Sequence, residues 1–176
     1  MSNDVKVIIL CNNPVAVPGI KEFLFFGKVV AIGIPKQNKE MHHVLTAMLR
    51  QTEVPLLLIE KKKYEEQIKG AIEEYAPSVV LMMTFPYIIS EKILLKPKQG
   101  FINFHYGLLP QCGGPQPILW HLLNNDNNAG VTIHKVDAGI DTGDIILQEK
   151  IAIAQNDTYG TLHSKLAFLG AKLAAG

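Results

Sequence analysis

Residues 101–110 read Phe-Ile-Asn-Phe-His-Tyr-Gly-Leu-Leu-Pro, and this stretch is the strongest indication of the fold. Side chains of a β-strand alternate between its two faces, so Asn103 and His105 share one face of the predicted strand. A strand that is covered on both faces is expected to be almost entirely hydrophobic. Two aligned polar side chains at its end therefore indicate either a hydrogen-bonded pair in the packed interior or a functional site. The residues around them decide between these two interpretations.

The segments on either side of this stretch alternate between apolar runs rich in β-branched residues and runs with helical spacing. Strands are predicted at residues 5–10, 29–34, 55–59, 78–83 and 101–105, and helices at residues 22–26, 39–52, 64–75, 117–124 and from about 156 onward. This alternation predicts an α/β fold, with a mostly parallel sheet, right-handed crossovers and helices on both faces. Residues 129–136 and 144–153 are joined by a short loop, which predicts an antiparallel C-terminal strand pair.

The bulk composition is that of a globular chain. It has 176 residues, 48% hydrophobic and 19% charged, which predicts one domain over residues 1–176. The net charge of +1 gives no basic surface for nucleic acid, and no segment has the length and hydrophobicity for membrane insertion or export. Lys61-Lys62-Lys63 is interpreted as a solvated loop, and Cys11 and Cys112 as thiols. We therefore expect a cytoplasmic protein with no membrane partner and no nucleic-acid contact through this domain.

Further motifs follow the Asn-x-His pattern in a fixed order. They are Leu108-Leu109-Pro110, Gly130-Val131-Thr132-Ile133-His134 and Asp141-x-Gly143. Together these motifs resemble the folate-dependent formyltransferases, the family of glycinamide ribonucleotide transformylase, methionyl-tRNA formyltransferase and the sugar N-formyltransferases. The opening run at residues 13–18 resembles the start of the methionyl-tRNA enzymes, and the resemblance covers essentially the whole sequence.

The resemblance implies a Rossmann-like formyltransferase fold and a formyl transfer from 10-formyltetrahydrofolate to an amine, without a metal. It assigns Asn103, His105 and Asp141 as the catalytic trio, with His134 as a neighbour that positions Asp141 or its water. The residue types suit the chemistry. An amide and a protonated imidazole can stabilise the oxygen of a tetrahedral species, and a carboxylate can relay the proton between the two nitrogens. A carboxylate beside His105 is expected to favour its cationic form.

The resemblance also implies a folate cleft between the loops at residues 82–89 and 136–140. The residues expected to line it are Met82, Met83, Phe85, Pro86, Tyr87, Val136, Asp137, Ala138, Gly139 and Ile140. Leu81, Met83, Phe85 and Ile140 are candidates for an apolar wall. An equally good interpretation of Met82 and Met83, taken singly, is that they are core residues at a strand end. Asp137, Asp141 and Asp144, together with the Asn-rich run at residues 124–128, lack the twelve-residue spacing of an EF-hand calcium loop, and turn chemistry explains the Asn-rich run better.

The sequence departs from the family in ways that concern the acceptor. No Gly/Ser-rich phosphate loop follows the first strand, which disfavours glycinamide ribonucleotide, and Gly107 and Gly113 stand where many members have Ser and Arg. Nothing corresponds to the C-terminal tRNA-contacting domain, so either a truncated chain or a small or nucleotide-linked amine acceptor is expected.

Two alternative functions stay open: a 10-formyltetrahydrofolate hydrolase, and a folate-binding module without turnover. The sequence does not indicate an oligomeric state.

Overall fold

The predicted strands form one seven-stranded sheet in the computed structural model, which describes residues 5–175. The strands are β1 (Val7–Cys11), β2 (Val29–Pro35), β3 (Leu56–Ile59), β4 (Val79–Met83), β5 (Phe101–His105), β6 (Asn128–Lys135) and β7 (Ile145–Ala152). The helices are α1 (Val17–Phe25), α2 (Lys39–Leu49), α3 (Tyr64–Tyr75), α4 (Glu91–Leu94), α5 (Pro117–Leu123) and α6 (Tyr159–Ala175). The spatial order is β3-β2-β1-β4-β5-β6-β7.

Strands β1 to β5 are parallel, whereas β6 is antiparallel to both β5 and β7, so the predicted fold class is confirmed. The antiparallel register between β5 and β6 is what assembles the polar cluster. Asn103 lies opposite His134, and His105 lies opposite Thr132. Because directly opposite residues of an antiparallel pair project to the same face, Asn103 and His134 are neighbours on the side of the sheet that carries His105.

Two hydrophobic cores lie on the two faces of the sheet. One contains buried residues of α1, α2, α5 and α6, and the other contains buried residues of α3 and α4. Strand β4 contributes to both cores because its side chains alternate: Leu81 and Met83 belong to the first, Val80 and Met82 to the second. Among residues 5–175, no helix is both long and apolar enough to cross a membrane.

The first helix begins earlier than predicted. A 3-10 turn at Pro14–Ala16 leads directly into α1, which starts at Val17 rather than at residue 22. Proline marks helix boundaries in sequence patterns, but in a first turn its missing N–H costs no hydrogen bond, and Pro14 and Pro18 both occupy such positions. Asn13 caps the turn by accepting a hydrogen bond from the Val15 amide. Two other helices also differ from the prediction. The short helix α4 was not predicted from the sequence, and α2 ends at Leu49 rather than at residue 52.

Helix α6 packs closely against Tyr106, the residue that follows β5. A Cβ atom added at Gly170 would lie 2.9 Å from the ring of Tyr106, which is fully buried just after β5. We expect Gly170→Ala to lower the free energy of unfolding by about 1–3 kcal/mol, because overpacking a rigid ring outweighs the better helix propensity of alanine. Urea denaturation measures this change.

Gly70→Ala is the matched control, since Gly70 lies within α3 and nothing stands within 4 Å of its added Cβ. This variant is expected to be more stable than the parent by up to about 1 kcal/mol. Equal effects of the two substitutions would contradict the packing argument.

Candidate active site

Three of the predicted site residues lie where β5 and β6 meet. His105 and His134 are buried, with 6% and 2% of their surfaces exposed, and Asn103 is half-buried between them. The amide nitrogen Nδ2 of Asn103 is 3.1 Å from Nε2 of His134. Adjacent strands thus hold an amide and two imidazoles on one face at the end of the sheet.

Asp141 reaches this cluster from the loop between β6 and β7. Its Oδ2 lies 3.5 Å from Nδ1 of His105, and its Oδ1 lies 3.5 Å from Nε2 of His134 and 3.4 Å from Nδ2 of Asn103. The backbone N–H of Gly114 donates to Oδ2 at 2.8 Å. The backbone of Asp141 is in the left-handed region at φ 54°, which aspartate tolerates better than most residues. The structure therefore brings all four predicted residues together.

Main-chain carbonyls fix the orientation of both imidazoles. Nε2 of His105 is 2.6 Å from the carbonyl oxygen of Cys112, and Nδ1 of His134 is 2.7 Å from the carbonyl oxygen of Lys135. A carbonyl oxygen only accepts, so these two nitrogens carry hydrogen and donate. The other nitrogen of each ring faces Asp141, and it bears a lone pair when the ring is neutral.

The electrostatics of the two imidazoles differ. Burial lowers the pKa of His105, and the Cys112 carbonyl and Asp141 offset this only in part. Burial also acts to lower the pKa of His134, but its hydrogen bonds to Asp141 and to the Lys135 carbonyl raise it overall. The prediction that His105 is cationic is therefore wrong for this state of the site, because the neutral form of His105 is favoured. His134 is the ring that binds a proton more readily.

The carboxyl group of Asp141 stays ionised. Burial acts to raise its pKa, but the hydrogen bond with His134, the neighbouring His105 imidazole and the Gly114 amide together lower it below the ordinary value. An ionised carboxylate between two imidazoles can accept or pass on a proton at either ring. The arrangement is suited to proton transfer next to an electrophilic carbon.

A cavity of about 640 Å³ opens onto this cluster. Its wall includes eight of the ten residues predicted for the folate cleft, namely Met82, Phe85, Pro86, Tyr87, Val136, Asp137, Gly139 and Ile140. Met83 and Ala138 do not line it. Met83 points to the opposite face of β4 and is fully buried there, like Leu81, so neither forms the predicted apolar wall. Ala138 is exposed within the loop.

The cavity also has lining residues that sequence reasoning missed, including Asn12, Thr84, Gln116 and Tyr159. Thr84 has φ 69°, which is unusual for a β-branched residue. Its hydroxyl accepts from the Asn12 amide at 3.3 Å and donates to the Met83 carbonyl, so it joins the loops after β1 and β4. In the sequence, only the position of Asn12 and Thr84 indicated a site, because both loops follow the carboxyl ends of adjacent parallel strands.

Within the described part of the chain, no group of three or more His, Cys, Asp or Glu side chains has the arrangement of a metal site.

Comparison with known proteins gives consistent matches. The chain matches the family described as "Formyl transferase" over residues 3–175. A methionyl-tRNA formyltransferase of Caldanaerobacter subterraneus subsp. tengcongensis is 31% identical over 175 residues, covering 96% of this chain and 57% of that protein. The enzyme of the same name from Pelotomaculum thermopropionicum is 44% identical over 102 residues, covering 58% of this chain and 33% of that protein. The chain thus spans between one third and three fifths of these relatives.

Solved structures share the fold at low sequence identity. The phosphoribosylglycinamide formyltransferase of Streptococcus pneumoniae superposes with a TM-score of 0.85 at 21% identity, covering 98% of this chain and 96% of that one. A formyltetrahydrofolate deformylase of Pseudomonas syringae pv. tomato gives a TM-score of 0.81 at 16% identity, covering 98% of this chain and 59% of that one. With the match over residues 3–175, these comparisons show that the chain belongs to the formyl transferase family.

Proposed function

We propose that this chain transfers a formyl group from 10-formyltetrahydrofolate to an amine. The observation that supports the proposal most directly is the carboxylate of Asp141, held 3.5 Å from a ring nitrogen of each of two histidines beside the Asn103 amide. The family match supports the same chemistry. Because the chain covers only part of the length of its curated relatives, the activity is our proposal for the chain itself.

The cavity suits a folate. Its volume of about 640 Å³ is within the range of pockets for drug-sized ligands, and its walls combine apolar side chains with the loops at residues 84–89 and 136–141. Met82 and Phe85 on one side and Val136 and Ile140 on the other would hold the pterin ring. 10-Formyltetrahydrofolate would supply an activated formyl carbon on a nitrogen leaving group.

Residues of this chain would accept the proton that the attacking amine loses. An amine attacks only as the free base, so its proton must be taken up as the new C–N bond forms. Nδ1 of neutral His105 and the ionised Asp141 are both free to accept it, and they lie within one hydrogen-bond step of each other. Protonation during the reaction would turn His105 into a cation when negative charge develops on the formyl oxygen. The same proton would then pass to the folate nitrogen as the bond between this nitrogen and the formyl carbon breaks.

His134 would act as a positioning residue for Asn103. When His134 is neutral, its Nε2 accepts a hydrogen bond from the Asn103 NH2 group at 3.1 Å. When it is protonated, Nε2 donates to Asp141 and no longer accepts from the Asn103 NH2 group, which loses that partner. Protonation of His134 would then give Asn103 a free donor for the formyl oxygen.

The charge of the cavity bears on the acceptor. In the portion of the chain that the structure describes, no lysine or arginine lines the cavity, whereas Asp137 and Asp141 do. A phosphate close to the reacting amine would therefore lack a cationic partner. We propose an acceptor whose amine is carried by an uncharged group, such as an amino sugar or an aminoacyl ester. The relatives named methionyl-tRNA formyltransferase make aminoacyl-tRNA one of the acceptors to test.

Hydrolysis is the second candidate, because a protein of the same fold is named formyltetrahydrofolate deformylase. Water in place of the amine would require the same proton transfers. The decisive experiment incubates the protein with 10-formyltetrahydrofolate, with and without pools of amino sugars, aminoacyl-tRNA and small amines. Mass spectrometry detects formylated products, and a formate assay detects hydrolysis. Formate release that no amine reduces would replace transfer by hydrolysis as the function.

Asp141→Asn tests the role of the carboxylate. We expect kcat to fall by about 10²–10⁴-fold, because the amide cannot relay a proton. The fold should persist, since asparagine also tolerates a left-handed backbone. Asp144→Asn is the control: Asp144 is exposed, pairs with Lys135 and does not line the cavity, so the activity of this variant should stay within about twofold of the parent. Near-normal turnover of Asp141→Asn would remove this residue from the mechanism.

Titration of the ring protons by NMR tests the proposed charge states. His105 should titrate below the ordinary pKa of histidine and His134 above it, for the reasons of burial and hydrogen bonding given above. In Asp141→Asn both rings lose the carboxylate that favours their cations, so both pKa values should fall. A pKa of His134 that is unchanged in this variant would show that Asp141 does not stabilise its proton.

A further inference from the structure

The loop after β1 presents two asparagine side chains to the cavity, and the function proposed above gives neither of them a role. Asn12 and Asn13 both line the cavity and are half-buried. An amide side chain has a donor end and an acceptor end, so what it offers a ligand depends on which end faces the cavity. In both residues, neighbouring backbone groups determine that end.

The oxygen of the Asn13 side chain is held by two donors. The Val15 amide lies 2.9 Å from Oδ1 of Asn13, and because a backbone N–H only donates, the atom it contacts is the oxygen. Nε2 of His163, on α6, lies 3.0 Å from the same oxygen and therefore carries hydrogen. The NH2 group of Asn13 points away from both donors, and it has no hydrogen-bond acceptor among residues 5–175.

Asn12 is oriented in a similar way through Asn38. The Met41 amide donates to Oδ1 of Asn38 at 3.0 Å, so the other end of the Asn38 side chain is its NH2 group. This NH2 group donates to the carbonyl of Asn12 at 2.6 Å and to Oδ1 of Asn12 at 2.9 Å. The Asn12 oxygen is thus occupied, and its NH2 group has no partner within the described chain. Two adjacent amides therefore offer donors to a ligand.

Tyr159 connects His163 to the cavity. Its ring centroid lies 5.9 Å from that of His163, and Tyr159 itself lines the cavity. Burial lowers the pKa of His163, which favours the neutral ring. A neutral imidazole carries a single N–H, and the Asn13 oxygen places it on Nε2. Helix α6 therefore supplies a fixed donor that holds the Asn13 side chain in place.

The two asparagines lie at some distance from the reacting centre. They follow β1, which only β4 separates from β5, so two strand spacings of about 5 Å each lie between their backbone and the strand that carries Asn103 and His105. Side chains project into the cavity from both strands and take up part of this distance. A group the size of a sugar ring spans the rest.

We propose that the NH2 groups of Asn12 and Asn13 bind an oxygen of the amine acceptor, and that His163 is the positioning residue for Asn13. The inference rests on the function proposed above and names the acceptor group that this part of the wall recognises. A hydroxyl or carbonyl oxygen accepts from two NH2 groups without needing a cation, which agrees with a wall that has no lysine or arginine among the described residues. An acceptor without oxygen would leave both donors unpaired in the filled cavity, and this weakens binding.

Initial rates of formyl transfer, measured on the whole chain with saturating 10-formyltetrahydrofolate, compare three amines at equal concentrations of free base. Glucosamine carries hydroxyl oxygens, methionine methyl ester carries a carbonyl oxygen, and cyclohexylamine has a ring of the same size as a sugar without any oxygen. We expect kcat/KM of the better oxygen-bearing amine to exceed that of cyclohexylamine by at least about tenfold. Which of the two is better decides between a hydroxyl and a carbonyl.

Two variants remove the Asn13 donor. Asn13→Asp keeps the oxygen that Val15 and His163 contact and replaces only the NH2 group, whereas Asn13→Ser keeps a capping oxygen without adding a charge. In both, we expect the KM for the better oxygen-bearing amine to rise about tenfold, with its kcat within about twofold and the cyclohexylamine kinetics within about threefold of the parent. A loss in Asn13→Asp alone would assign the effect to charge and overturn the proposal.

His163→Leu and His163→Gln test the positioning role. His163→Leu removes the second donor to Asn13 and should raise the same KM about threefold to tenfold, whereas glutamine keeps an N–H near the place of Nε2 and should restore it to within about twofold. A role in stability alone would change the cyclohexylamine kinetics as well. His43→Leu is the matched control, since His43 is exposed on α2 and does not line the cavity. A KM increase in this control, or no rescue by glutamine, would remove His163 from the proposal.

The remaining outcomes separate the inference from the proposed function. Equal kcat/KM for all three amines in the parent protein would overturn the inference and leave formyl transfer intact. Formylated products from the larger amine pools but from none of these three amines would do the same. Formate release without a formylated product from any amine would overturn both.

Discussion

The contact on which the site depends is that between the carboxylate of Asp141 and two buried imidazoles. Without polar partners, a buried carboxylate would destabilise the folded state, because burial disfavours its ionised form. Here the Gly114 amide and the ring of His134 compensate for burial, and the carboxyl stays ionised. The same charge raises the pKa of both imidazoles, but burial keeps the pKa of His105 below its ordinary value, whereas the hydrogen bonds of His134 raise its pKa overall. One acidic residue on a loop thus favours the cationic form of two residues on strands, and burial and hydrogen bonding decide which of them binds a proton more readily.

The sheet topology supplies the precision that this contact requires. His134 faces Asn103 only because β6 runs antiparallel to β5 in the observed register, and a slip of one residue would turn it to the other face. Two main-chain carbonyls then take one nitrogen of each ring, so the other nitrogen has to face Asp141. The side chains that would handle the proton are therefore held by backbone groups on rigid elements, an arrangement that favours accurate geometry.

The sequence predicted the fold class and the identity of the converging residues, but it could not predict several features that depend on three-dimensional contacts. Residues 79–83 are apolar throughout, so their pattern does not show that Met82 faces the cavity while Met83 faces the opposite core. The start of α1 could not be predicted from the sequence, because proline interrupts most helices but is compatible with a first turn. The neutral state of His105 depends on its burial, which a list of charged neighbours does not reveal.

Gly107 illustrates how a departure from the family pattern follows from the same constraint. The sequence alone suggested that the missing side chain removes an acceptor contact. The structure adds a steric reason, because a Cβ at this position would lie 2.9 Å from both Nε2 of His105 and the carbonyl of Cys112, and 2.6 Å from Pro117. Those are the two atoms whose hydrogen bond orients His105. A serine here would require the Cys112 loop to move away, and His105 would lose the anchor that directs its other nitrogen to Asp141. Gly107 and the orientation of His105 are therefore one feature of this chain, and the acceptor side has to be understood with both together.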